Sequence, residues 1–468
     1  MAKARKQTTR RAAKSVPKPA ATPAAKLTDK LVAHMQADFA ANDRYKVMQN
    51  AITHVSIRDL AWRHDVVKDD EHVFSIKLDD WSVTNQKSSG RCWMFAALNL
   101  FRVGAMKKLK VKDFEFSQNY TLFWDKLEKA NYFLEAVIDT ADRDVDDRTV
   151  KTLLGRPVDD GGQWTMFISL VKKHGLAPKS VMPETESSSS TGMMNGVLVE
   201  KLRGGAKMLR DLHAAGAHLA ELRAAKQEML NVVYRVLAIH LGNPPVRFDW
   251  QWTGTDKKVH RQRNMTPRVF AERYVTVPLD EYVCLVHDPR KGNPIGRTFT
   301  VDYLGNIVGG DPVIYLNVDV ELMKKIALKT LQDGEPVWFG CDVGKDIHTG
   351  KGLWDTHVKD LGAIYDTTFE MDKEARLDYS MTAMTHAMLF TGADVVGGKC
   401  RAWRVENSWG AEKGKAGFYR MNDSWFNEHM FEVAARKKYL SPRLRQALAR
   451  KPIVLPAWDP MGSLARLR

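Results

Sequence analysis

Cys92 closes the stretch Asn85-Gln86-Lys87-Ser88-Ser89-Gly90-Arg91 and opens an apolar run, so a few residues bring together an amide, a glycine turn and a thiol. Met94, Phe95, Leu98, Phe101 and Met106 recur at three- and four-residue intervals without an intervening proline. That spacing predicts a helix over 93–109 with Cys92 at its N-terminus. Unpaired backbone N–H groups and the dipole at a helix start favour negative charge, which lowers a thiol pKa and enriches the reactive thiolate. Gln86 lies six residues upstream on a loop. Folded back beside the sulfur, its amide and the Cys92 backbone N–H would form an oxyanion hole for a tetrahedral acyl intermediate.

A thiol nucleophile needs a base, and the base needs something to orient it. Residues 383–390 (Ala-Met-Thr-His-Ala-Met-Leu-Phe) read as a buried strand carrying His386, and residues 403–410 as a strand ending in a turn that presents Asn407. His386 would take the thiol proton and later give it to the leaving amine. Asn407 would accept from the other ring nitrogen and fix the tautomer, with Trp409 shielding that bond from water. A lone cysteine on an apolar helix is ordinarily a small core residue. Gln86, His386 and Asn407, in this order and each with fitting neighbours, argue for catalysis instead. Cys284, Cys341 and Cys400 have no such company and lack the paired spacing of a zinc site, so they read as structural. Most of the 14 histidines do too; His348 and His357, in a Gly- and Asp-rich loop, are candidates only for substrate contact.

The chain resembles the papain-like cysteine peptidases at these residues, and within them the bleomycin hydrolase and aminopeptidase C family. The resemblance rests on the Gln86 to Cys92 spacing, Cys92-Trp93, Thr385-His386-Ala387-Met388 and Glu406-Asn407-Ser408-Trp409-Gly410. It also runs through Phe116-Ser117-Gln118-Asn119-Tyr120, Asp160-Gly161-Gly162-Gln163-Trp164 and Trp458-Asp459-Pro460-Met461-Gly462, covering about 27–465. It implies an α+β papain-like fold, with a helical half carrying the cysteine, an antiparallel sheet half carrying histidine and asparagine, and helical and N-terminal insertions. The implied activity is that of a cysteine aminopeptidase releasing N-terminal residues from peptides through a thioacyl-enzyme. Neither metal nor organic cofactor is implied, and the assembly would be a homohexamer with sites facing a central cavity. By the same resemblance Gly161 and Gly162 line the peptide-binding cleft. As residues alone, two glycines before a helix are a turn that lets backbone approach closely.

The elements that must position these groups follow along the chain. A basic extension (1–26) precedes a peptidase domain (27–451), which begins with a helix over 30–41. Ser117 is placed to cap a helix carrying Tyr120, Phe123, Trp124, Leu127 and Phe133. After the Ser-rich loop 186–192, a long helical stretch over 195–241 opens an insertion that runs to about 270, and Thr266-Pro267 starts a short helix with proline first. A helix over 318–332 and a strand over 336–341 lead into the sheet half. Residues 452–468 form a proline-stiffened arm. In the resembled family the arm enters the cleft and its terminal carboxylate meets the substrate ammonium, which here points to Ala465. The chain continues Arg466-Leu467-Arg468 beyond the family's usual stop, so trimming of that tail is expected; untrimmed, it would favour endopeptidase or carboxypeptidase-like action.

Composition narrows the setting. At 468 residues the chain exceeds a minimal papain-like core, hence the insertions. Four scattered cysteines, no apolar segment long enough for a bilayer and no signal-peptide core point to a reducing cytoplasm and away from membranes. The net charge is +15, and residues 1–26 hold eight Lys or Arg with no acid, leaving +7 for the rest. Such an Ala-, Pro- and Lys-rich tail reads as disordered. It suits weak, salt-sensitive, nonspecific attraction to nucleic acid, and a nucleic-acid-binding protein is the alternative reading from a different class.

Overall fold

The computed structural model describes residues 26–68, 71–78, 81–369 and 371–464, grouped in two compact units. The described part of the first comprises 26–62 with 360–369. Its helices Asp29–Ala41 and Asp43–Ile52 meet at Asn42, which ends one and caps the other by accepting from the Arg44 backbone N–H at 3.0 Å. Thr28 caps the first helix, accepting from Leu31 N at 3.3 Å. Neither helix buries a residue, and Leu27, Leu31, Met35 and Phe39 stand exposed at four-residue spacing. Arg44 and Tyr45 tie this unit to its own distant segment through Asp366, at 3.2 and 3.1 Å.

Among the described residues, the second unit holds every strand. In chain order these are β1 Ile76–Lys77, β2 Phe248–Thr253, β3 Val259–Met265, β4 Tyr282–Val286, β5 Thr298–Val301, β6 Tyr315–Asn317, β7 Val337–Cys341, β8 Ile347–His348, β9 Leu353–Trp354, β10 His386–Val396, β11 Lys399–Glu406, β12 Phe418–Asn422, β13 Met430–Arg436 and β14 Ile453–Leu455. The strands β2 and β3 make a separate hairpin. The others form one sheet ordered β14-β5-β6-β4-β13-β7-β10-β11-β12-β9-β8, with β1 beside β10. Its centre, β4 through β12, is antiparallel, whereas β14–β5, β4–β6 and β12–β9 are parallel pairs.

Strand alternation splits the interior into two cores. On β7 and β10, Trp338, Ala387 and Leu389 face the helical half, while Phe339, Met388 and Phe390 face the helices Val320–Gln332 and Asp423–His429. Both faces are covered, so β10 is buried along His386–Asp394 and lacks a polar side. The helix Cys92–Leu109 lies against β7 and β10 and is apolar nearly all round. It ends where Lys110 takes φ 56°, with Lys107 and Lys108 in the last turn. Ser117 caps the helix Gln118–Asp139 as expected, accepting from Tyr120 N at 3.0 Å.

The insertion departs from expectation. In place of one helical stretch over 195–241, Gly192–Ala214 and Leu219–Leu241 are separate helices. Gly216 at φ 89° breaks the chain between them, and Glu221 accepts from the His218 backbone N–H at 2.7 Å to start the second. Beyond them the hairpin β2–β3 occupies most of the remainder; Trp250 and Trp252 stack there at 4.4 Å between ring centres.

Candidate active site

Cys92 is the first residue of its helix and is fully enclosed. The expectation that the helix start would lower its pKa fails on burial. Loss of solvation pushes the thiol up to about 12, outweighing the backbone N–H groups of Ala387, Trp93 and Cys92 that favour the thiolate. Ala387 belongs to β10, so the sulfur lies against the strand that carries His386.

The ring of His386 is equally buried. Its Nε2 lies 2.9 Å from Asn407 Oδ1, and the same oxygen accepts from the Ser408 backbone N–H at 2.8 Å. The second donor identifies the atom as the amide oxygen, so Nε2 must carry the proton. Among the described residues Nδ1 has no hydrogen-bond partner and is left as an acceptor. Burial lowers this imidazole to about 4, only partly opposed by the bond to Asn407. Burial disfavours either charge alone, so opposite charges form together when the proton passes from thiol to imidazole. Trp409 lies over His386 at 5.0 Å between ring centres. Gly410 lets the turn close at φ 80°, because a Cβ there would stand 2.6 Å from Asn85 Nδ2.

Gln86 is buried beside this pair, anchored at both ends of its amide. Oε1 accepts from Ser408 Oγ at 2.6 Å, and Nε2 donates to Ser89 O at 2.6 Å. One proton on Nε2 therefore stays committed to the loop, leaving the second to face a ligand. The backbone pair Gln86 N to Ser408 O at 2.9 Å joins the loop to the Asn407 turn. Arg91, just before the cysteine, is gripped by Glu184 through two bonds of 2.9 and 2.7 Å.

Gly161 and Gly162 lie buried in a turn held by charge. Lys129 donates to Gly161 O at 2.6 Å and to Asp125 at 2.7 Å. Lys126 pairs with Asp160 at 2.5 Å. Burial opposes ionisation of Asp160, yet Lys126, Thr191 and the Gly90 N–H hold its carboxyl far below the usual range. Gly162 is required by packing, since a Cβ would meet the Trp93 ring at 2.6 Å.

The C-terminal arm runs into this neighbourhood. β14 pairs with β5, Arg290 binds Asp459 through contacts of 3.1 and 2.8 Å, and Tyr315 donates to Met461 O at 3.3 Å. At its inner end the arm is held from both walls: Gln163 Nε2 donates to Ser463 O at 2.7 Å, and Ser463 Oγ donates to Met384 O at 2.9 Å, two residues before His386. Ala465 lies outside the described residues, as do nearly all of the basic extension and the overhang 466–468. Cys284 and Cys341 are buried in strands, Cys400 is half-buried, and none of the four cysteines is in a disulfide. His348 and His357 sit apart from the site; His357 Nδ1 meets Asp355 at 3.0 Å. Sequence reasoning did not single out Gln163, Ser463, Arg290 or Glu406. Only the motif positions of Gln163 and Glu406 signalled them.

Residues 26–462 match the model of the Peptidase C1-like family. An aminopeptidase C of Listeria monocytogenes is 45% identical over 437 residues, 93% of this chain and 95% of that protein. A bleomycin hydrolase of Homo sapiens is 39% identical over 449 residues, covering 94% and 99% respectively. The crystal structure of PepW from Lactobacillus rhamnosis superposes with a TM-score of 0.92 at 45% identity, covering 94% of this chain and 100% of that one.

Proposed function

The chain belongs to the Peptidase C1-like family, and from that premise we propose how it works as a cysteine aminopeptidase on a papain-like α+β scaffold. His386 Nδ1 takes the Cys92 proton. The thiolate attacks the carbonyl after the first residue of a peptide, and the oxyanion is held by the Cys92 backbone N–H and the second N–H of Gln86. Collapse breaks the C–N bond as His386 returns the proton to the leaving amine, giving a thioacyl-enzyme. Water, deprotonated by His386, then releases the free amino acid and restores the thiol. Asn407 keeps the proton on Nε2 throughout.

The observation that carries this reading is the tautomer: Asn407 Oδ1 binds two donors, leaving His386 Nδ1 bare beside the helix that begins at Cys92. Restriction to the first residue is assigned to the arm. Fixed at Ser463 by Gln163 and Met384, it closes one end of the cleft, so that a substrate fits only with a free amino end abutting it. Gly161 and Gly162 would present backbone to the peptide. Comparing hydrolysis of an aminoacyl fluorogenic amide with its N-acetylated twin tests both assignments. Cleavage of the free amine alone, abolished in Cys92→Ala, supports them; equal cleavage of the acetylated twin removes the arm from the argument.

Self-association, as a homohexamer, is proposed from the exposed stripe Leu31, Met35 and Phe39 on a helix that buries no residue, with Leu27 exposed just before it. Weak nonspecific nucleic-acid binding is proposed from the charge of the N-terminal extension alone. A reducing, cytoplasmic setting is proposed from the four cysteines that form no disulfide. Among the described residues no helix is long and apolar enough to cross a membrane.

A further inference from the structure

We propose that Glu406 is a positioning residue for this reaction: one enclosed carboxylate sets the spacing between nucleophile, orienting amide and oxyanion donor. The inference rests on the roles assigned above to Cys92, His386, Asn407 and Gln86. Glu406 ends β11, immediately before Asn407. Arg102 Nη2 donates to it at 2.8 Å, Asn99 Nδ2 at 3.0 Å, and the Trp81 indole N–H completes the set.

Those donors belong to the other half of the site. Asn99 and Arg102 lie on the helix that starts with Cys92, about two and three turns further along. They also reach the loop that leads to Gln86: Asn99 Nδ2 meets Thr84 Oγ1 at 2.9 Å, and Arg102 Nη2 meets Ser82 O at 2.7 Å. The end of β11 that leads to Asn407, the cysteine helix and the Gln86 loop therefore hang on a single group. Arg102 balances its charge. Arg404, the other cation nearby, is turned to the Phe418 ring at 3.6 Å and to Thr391 Oγ1 at 3.0 Å.

Thiolate and imidazolium stabilise each other steeply with distance in a site that excludes water. A small retreat of β11 from the helix would leave the fold standing and weaken that pair. A carboxylate that merely stabilised the interface between halves would lower the melting temperature and leave the acidity of the reacting thiol unchanged.

Iodoacetamide alkylation of Cys92, followed by peptide mass against pH, separates the two. The wild type should react near pH 6, through the ion pair. For Glu406→Gln, checked for native circular dichroism, the rate should fall about tenfold or more near pH 6 and stay within about threefold of wild type near pH 10, where hydroxide rather than the imidazole removes the thiol proton. Should that variant fail to fold, Trp81→Phe removes one donor, keeps the Arg102 pair, and should shift the profile in the same direction. Profiles of a folded variant that superimpose on the wild type overturn the inference while leaving the catalytic roles standing. A wild type with no reactivity below the range of an ordinary thiol overturns those roles and this inference together.

Discussion

Gln163, just before the helix Trp164–His174, donates its side-chain amide to the Ser463 carbonyl at 2.7 Å, a bond between residues 300 positions apart that fixes where this part of the C-terminal arm lies. Ser463 passes the constraint on to Met384, on the segment that leads into His386. The arm is thus registered against both walls, and register decides how many residues fit between its end and the sulfur.

Gln163→Ala should loosen that register. Its bond is half-buried and made to a carbonyl that would lose this partner, a loss worth about 1 kcal/mol at Ser463. The expected result is a fall in the preference for free-amine over N-acetylated substrates by up to about tenfold, with Cys92 alkylation unchanged. An unaltered preference would place the restriction elsewhere than at the Gln163–Ser463 contact.

Gln86 and Ser408 separate catalysis from loop anchoring. Gln86→Ala removes the proposed oxyanion donor, and kcat should drop about 10²–10³-fold with KM little changed. Ser408→Ala takes away only the hydroxyl that grips Gln86 Oε1 at 2.6 Å, so a smaller loss is expected. Steady-state kinetics of the two variants on one aminoacyl amide compares them directly; equal losses would mean that Gln86 acts by holding the loop.

How far the sequence could be read depends on the range of each interaction. The cysteine helix is a local fact, written in the spacing of Met94, Phe95, Leu98 and Phe101, and the strand under His386 in a short apolar run. The break at Gly216 was available locally but masked by the helix-forming residues on either side. The hairpin of Trp250 and Trp252 was missed because its alternation sits between helical segments. The thiol pKa has the opposite sign to the helix-start argument because enclosure is created by β10, almost 300 residues away. Glu406 could not be given partners from sequence at all: its donors lie 304 to 325 residues upstream.

Gly162 and Gly155 should respond oppositely to alanine. At Gly162 the new Cβ falls 2.6 Å from the Trp93 ring, next to the nucleophile, and overpacking there should cost about 1–3 kcal/mol along with activity. At Gly155, the last residue of the helix Arg148–Gly155, a Cβ meets nothing within 4 Å, and the substitution should stabilise by about 0.4–1 kcal/mol through the unfolded chain. Urea denaturation of both variants reads the signs; a destabilised Gly155→Ala would contradict the packing argument.

Glu432 supplies a pH dependence that can be isolated. On β13 it is 1% exposed, its Oε1 has no hydrogen-bond partner, and burial raises its carboxyl to about 7, with Cys284 only partly opposing. Between pH 4.5 and 7 the folded state therefore holds a proton that the unfolded chain has released. Stability from this group is fully present below pH 4.5 and is lost as pH rises through 7, by about 3 kcal/mol in total. Glu432→Gln keeps the shape and removes the charge, so its stability relative to wild type should grow by that amount between about pH 4.5 and pH 8, with other titrating groups cancelling in the difference. Denaturation midpoints of both proteins at the two pH values measure it. A difference independent of pH would mean that Glu432 is already compensated in the fold, by a partner other than the neutral Cys284 thiol.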